Sequence, residues 1–60
     1  MTSAQLRRWR TRQLRATQEV AADALGVSVD GYIKYENGQR PIKPWIVKLT
    51  RYITRFGVID

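Results

Sequence analysis

The side chains of this 60-residue chain that can do chemistry are mostly cations, eleven Lys and Arg against five Asp and Glu, for a net charge of +6. Arg7, Arg8, Arg10, Arg12 and Arg15 all fall in the first fifteen positions, with no acidic residue among them. So much uncompensated charge on so small a surface calls for a polyanion, either a nucleic acid or an anionic membrane. Catalysis has little to draw on. There is no Cys and no His, which excludes disulfides, thiolate metal sites and imidazole chemistry. Glu19, Asp23, Asp30 and Glu36 are scattered rather than paired, so no acid–base or nucleophilic set can be assembled. A non-enzymatic protein with no cofactor and no metal is expected. No apolar run approaches the roughly 20 residues of a membrane span, and the start lacks a signal peptide's apolar stretch. The expectation is a cytoplasmic protein with no membrane partner.

The elements that would position these groups are helices, in a single all-α domain over residues 1–60. A chain this short buries only roughly 60% of the surface it exposes when unfolded, so oligomerisation is the expected supplement to its core. Thr2 or Ser3 can cap a first helix over about residues 3–14, whose apolar face is Leu6, Trp9 and Leu14 with Ala4 or Gln13. Thr17 caps a second, with Glu19 well placed for the helix dipole and an inner face of Val20, Ala21, Ala24 and Leu25. Gly26 ends it as a C-terminal glycine does. Ser28 caps a third helix only two residues later, and Asn37-Gly38 ends it. Pro44 suits the first position of a fourth helix with Ile46, Leu49, Ile53 and Phe56 along one face, and Gly57 stops it. Val58 and Ile59 are left as a short C-terminal tail.

Two short helices joined through Gly26 can cross steeply if their contacts are small and the turn residue tolerates a left-handed conformation. Ala22 is small where the second helix would meet the third. The expected buried set is Ala21, Leu25, Val27, Tyr32 and Tyr35. Ser28, Val29, Asp30, Gly31, Ile33 and Lys34 are then the polar or exposed remainder of the third helix. Gly31 either lets the backbone approach a ligand closely or leaves room for Tyr32.

Thr17-Gln18, Ala21-Ala22, Leu25-Gly26-Val27-Ser28 and Tyr35-Glu36-Asn37-Gly38, in this order and with these gaps, resemble the Cro and phage-repressor (XRE-type) helix-turn-helix family. The resemblance covers residues 6 to about 53, with the helix-turn-helix unit at about 17–36. The Arg40-Pro41-Ile42-Lys43-Pro44-Trp45 segment resembles that of small phage-encoded members, some of which repress anti-CRISPR operons. The family's fold implies a compact four-helix, lambda-repressor-like domain. Its function implies a sequence-specific double-stranded DNA-binding regulator, most readily a repressor, whose third helix enters the major groove. Residue by residue, the resemblance implies that Gln18 contacts the DNA backbone and braces the third helix, and that Asn37 and Arg40 lie where phosphates are held. Ser28, Val29, Asp30, Ile33 and Lys34 are the implied base readers. Val29 and Ile33 suit a thymine methyl, Asp30 a cytosine amino group and Lys34 a guanine. Arg10 and Arg15 are the further backbone contacts expected from the first helix.

The chain departs from the family pattern in three places. Its first helix is one residue longer before Thr17, with Arg15 where many relatives have glycine. Tyr32 and Tyr35 replace aliphatics or tryptophan, so each hydroxyl needs a partner or solvent. A fifth helix is absent, so the surface it would cover is expected to be a homodimer contact of Trp45, Tyr52, Val58 and Ile59, with Val47 beside them. Such a dimer reads a pseudo-palindromic operator. An antitoxin-like or small inhibitory protein-interaction module is the alternative reading of the same chain.

Overall fold

The computed structural model describes residues 1–57. Helix α1 (Ser3–Arg8) continues without a break into a π-helical segment (Trp9–Leu14), followed by α2 (Gln18–Leu25), α3 (Val29–Glu36) and α4 (Pro44–Phe56). Local chemistry accounts for nearly every boundary. At the start of α1 the Thr2 hydroxyl accepts from the Gln5 amide at 3.1 Å while the Gln5 side chain accepts from the Thr2 amide at 2.8 Å, a complete capping box. The Thr17 hydroxyl accepts from the amide of Val20 and the Ser28 hydroxyl from that of Gly31. Pro44 opens α4, where a missing amide hydrogen costs nothing.

The turn between α2 and α3 is a Schellman closure. Gly26 sits at φ 72°, the amide of Val27 donates to Ala22 O at 3.0 Å, and that of Gly26 donates to Asp23 O at 3.1 Å. Glycine takes this left-handed geometry without a Cβ clash. The exit from the π segment uses the same backbone region without glycine. Arg15 lies at φ 53°, ψ 51°, the one non-glycine residue at positive φ among the described residues.

The first helix therefore has the expected span but not a uniform pitch. A π turn takes one residue more per hydrogen-bonded ring than an α turn, so Trp9–Leu14 fits an extra residue into the helix before Thr17. The amide of Ala16 reaches back to Arg10 O at 3.1 Å to close it.

All four helices contribute to one core of Leu6, Trp9, Ala21, Ala22, Leu25, Tyr32, Tyr35, Ile46 and Ile53. Of the other positions expected on buried faces, Leu14, Ala24, Val27 and Leu49 are partly buried against it, while Val20 and Phe56 lie outside it. Val20 is half-exposed because α2 meets its neighbours through Ala21, Ala22 and Leu25. Phe56 is 64% exposed because the buried line of α4 is Ile46, Thr50 and Ile53, a four-then-three spacing that leaves position 56 on another face. Ala4 and Gln13 are likewise exposed. The Thr50 hydroxyl donates to Val47 O at 2.8 Å, which makes its burial affordable, and the Trp9 indole donates to the Thr54 hydroxyl at 2.9 Å.

Candidate nucleic-acid interface

Helix α3 packs through Gly31, Tyr32, Tyr35 and Glu36 and turns Ser28, Val29, Asp30 and Lys34 outward, with Ile33 partly covered. Val29, Asp30, Ile33 and Lys34 thus share the side of α3 away from the core, and Ser28, the exposed N-cap, stands at its start with its hydroxyl on the Gly31 amide. Gly31 does not belong with them. It is buried, and a Cβ built on it would lie 3.1 Å from Ser28 Oγ and 3.6 Å from Arg40 Nη1. The room it leaves is occupied by those two side chains rather than by Tyr32.

Behind this face, Glu36 is 2% exposed and its carboxylate gathers donors from three elements. Arg10 of the π segment donates through Nε to Oε2 at 2.6 Å and through Nη2 to Oε1 at 3.3 Å. Gln18 Nε2 of α2 donates to Oε1 at 3.1 Å, and the Tyr32 hydroxyl, one turn back on α3, donates to Oε2 at 2.5 Å. Arg7 Nε stands 3.6 Å from Oε1, and Arg7 Nη2 reaches Glu36 O at 3.4 Å. Burial by itself raises the Glu36 pKa, but the hydrogen bonds from Arg10, Tyr32 and Gln18 outweigh it and hold the carboxyl below its ordinary range. Burial, reinforced by the bond to Glu36, pushes the Tyr32 hydroxyl pKa up. The Glu36 hydrogen bond likewise raises that of Arg10. All three groups keep their neutral-pH charge states, and the cluster ties α1, the π segment, α2 and α3 into one unit.

This geometry corrects the expected role of Arg10. Its side chain is only 16% exposed and faces Glu36, with Nη1 on Ala16 O at 3.1 Å. A guanidinium whose donors are engaged inside the fold is a brace, not a hand held out to a phosphate. Gln18 does brace α3, through Glu36. Glu36 itself is the residue that sequence reasoning passed over. Its partners lie 18 and 26 positions away, so no periodicity could expose them, although Tyr32, four residues before it, was a local hint.

Arg8, Arg12, Arg15, Asn37, Arg40 and Lys43 are exposed. Among the described residues, Arg7 and Arg10 are the cations within 4.0 Å of a carboxylate, both on Glu36. Trp45 and Tyr52, expected at a dimer contact, are 46% and 47% exposed, whereas Val47 is partly buried and Val58 and Ile59 lie outside the described residues. An open cavity of about 270 Å³ between the π segment and the end of α4 is lined by Trp9, Gln13, Leu14, Ile53, Thr54 and Gly57. None of these side chains titrates, so the cavity supplies no proton-transfer group. No described helix is long and apolar enough to cross a membrane.

A tight glycine turn joining two short helices, with the second offering a polar outward face, is the helix-turn-helix arrangement, a DNA-binding module. The chain matches the helix-turn-helix domain family over residues 3–55, nearly its full length, and belongs to it. No curated protein and no solved structure gives a match.

Proposed function

We propose that this protein is a sequence-specific transcriptional regulator that represses by occupying its operator as a homodimer, with α3 in the major groove. The observation that carries the reading is the two-sidedness of α3. Tyr32, Tyr35 and Glu36 lock one side into the fold while Ser28, Val29, Asp30 and Lys34 stand out from the other. A reader must be rigid behind and free in front, since a base contact discriminates only if the side chain arrives in register. Ser28, Val29, Asp30, Ile33 and Lys34 read base edges. Gln18, Asn37 and Arg15 contact the backbone, with the amide of Gln18 fixed by Glu36 at a helix N-terminus that itself favours an anion. Arg10 serves by holding Glu36. The Thr17-Gln18 and Glu36-Asn37-Gly38 marks and the Arg40–Trp45 segment favour the Cro and phage-repressor branch, acting on DNA in the cytoplasm.

The dimer surface follows from α4. Trp45, Leu49, Tyr52 and Phe56 recur at intervals of four, three and four residues, the spacing of a helix–helix seam. Three of them are 46–64% exposed, and the Tyr52 and Phe56 rings lie tilted at 41° to each other with centroids 4.8 Å apart. One copy measures 28 × 19 × 19 Å between Cα extremes, too short to carry readers into two major grooves about 34 Å apart. Two copies related by a two-fold axis span that distance and double a short reading surface.

Selection from a random duplex pool tests this reading. A pseudo-palindrome with half-sites about one helical turn apart is expected, and binding to it should weaken steeply with salt as several phosphates are released. If no motif is enriched and binding to duplex is insensitive to salt, the regulator reading fails.

A further inference from the structure

The loop after α3 folds back along the helix it has just left. The amides of Gln39 and Arg40 both point to Lys34 O, at 2.9 and 3.4 Å, with Gly38 at φ +76° making the reversal. The Arg40 side chain then runs toward the N-terminal end of α3, where Nη1 lies 3.6 Å from the point a Gly31 Cβ would occupy, beside Ser28 Oγ. On the helical wheel Gly31 adjoins Lys34, at the edge of the outward face. No described carboxylate lies within 4.0 Å of Arg40, although Asp30 is exposed on the same turn.

We propose that Arg40 is a base-reading residue, a loop arginine laid along the recognition helix in place of the side chain that Gly31 lacks. The inference rests on the regulator reading above. What separates it from an ordinary phosphate contact is where the guanidinium ends up. Residues near the C-terminal end of a recognition helix face the backbone, whereas its N-terminal turn sits deepest against the base edges. Arg40 is anchored at the first place and delivers its charge to the second. A planar guanidinium held there presents two parallel donors to guanine O6 and N7, beside Asp30, whose carboxylate suits the cytosine amino group. Gly31 is thereby a specificity residue by omission. An alanine methyl would meet Arg40 only at van der Waals distance but would press on the Ser28 hydroxyl at 3.1 Å, whereas a longer side chain would displace the guanidinium as well.

The test compares the parent, R40K, R40A and G31Q, each confirmed folded by thermal melting, in selections from the same random pool and in titrations at two salt concentrations. R40K keeps the charge and loses the fork. It should bind random duplex as the parent does but lose its preference at one base pair of each half-site by about 5- to 150-fold, the range of one good bidentate contact. G31Q should show the same relaxation with Arg40 intact. The proposal is overturned if R40K and R40A leave every base preference unchanged while R40A weakens all sequences alike and lowers the salt slope by about one phosphate, which is the behaviour of a backbone contact. It is also overturned if G31Q keeps the parent's motif. Should the parent itself select no motif, the regulator reading fails first, an outcome distinct from a parent motif that Arg40 does not influence.

Discussion

Removing the Glu36 carboxylate should cost this fold about 3–5 kcal/mol, the usual penalty for leaving a buried charge without its partner. Its surroundings place it at that end of the scale. Glu36→Ala strands Arg10 Nε and Nη2, Gln18 Nε2 and the Tyr32 hydroxyl together, and Arg10 is only 16% exposed, so water cannot fully replace the lost acceptor. Glu36→Gln is hardly milder. Each carboxylate oxygen accepts from Arg10, Oε2 from Nε and Oε1 from Nη2, and a guanidinium cannot accept in return. Whichever way the amide is turned, one N–H faces another. At about 0.05–0.15 kcal/mol per residue a domain of this size is stable by only about 3–9 kcal/mol, so Glu36→Ala should be largely unfolded at room temperature or melt at least about 12 °C lower. Urea unfolding followed by circular dichroism measures the loss, and the double variant Arg10→Met/Glu36→Met should recover the part due to the unpaired Arg10 charge, while the Tyr32 hydroxyl and the Gln18 amide still lack their acceptor. The pH dependence supplies a second readout. The Glu36 pKa is lower in the folded protein than the 4.5 of a free carboxyl. Its contribution is therefore fully present above that value and is lost as pH falls through it toward the folded pKa. Glu36→Gln should remove this part of the acid sensitivity. If both single variants stay within about 1 kcal/mol of the parent and acid unfolding is unchanged, the cluster does not hold the α2–α3 unit together.

Arg15→Gly should raise the melting temperature by about 4–8 °C, because a left-handed L-residue carries about 1 kcal/mol of strain that glycine lacks. The same variant should weaken duplex binding and lower the salt slope by about one, so a higher melting temperature with unchanged DNA affinity would remove Arg15 from the backbone contacts. Phe56→Glu, at a side chain 64% exposed, should leave the circular dichroism spectrum intact and shift sedimentation from dimer to monomer. A parent that sediments as a monomer at micromolar concentration, with and without DNA, would dispose of the α4 seam.

Most of the secondary structure was legible because it is locally encoded. Thr17, Gly26, Ser28, Pro44 and Gly57 act within one turn of themselves, and the helix boundaries fall beside them. The four-helix fold and the outward side of α3 were legible too, since Ser28, Val29, Asp30 and Lys34 needed only a helical period and a knowledge of which tyrosines face in. The π pitch of Trp9–Leu14 was not, although the extra residue before Thr17 and the missing glycine at position 15 were its trace.

What the tertiary structure alone decided concerns groups whose partners are remote along the chain. Five arginines in the first fifteen positions look equivalent as charges, yet Arg10 is turned inward and Arg15 outward because one carboxylate, 26 positions beyond Arg10, is buried within its reach. Phe56 continues an apolar period, but the helices facing α4 bury Ile46, Thr50 and Ile53 and partly cover Leu49, which leaves its ring for another surface. From sequence Gly31 admits either a close backbone approach or room for Tyr32, and only the path of the following loop shows that Arg40 lies across it. Capping, turn chemistry and helical period depend on neighbours a few residues away and so are determined by sequence alone. Which charge is neutralised, which apolar side chain is covered and which gap is filled depend on distances between elements, and those exist only once the chain has folded.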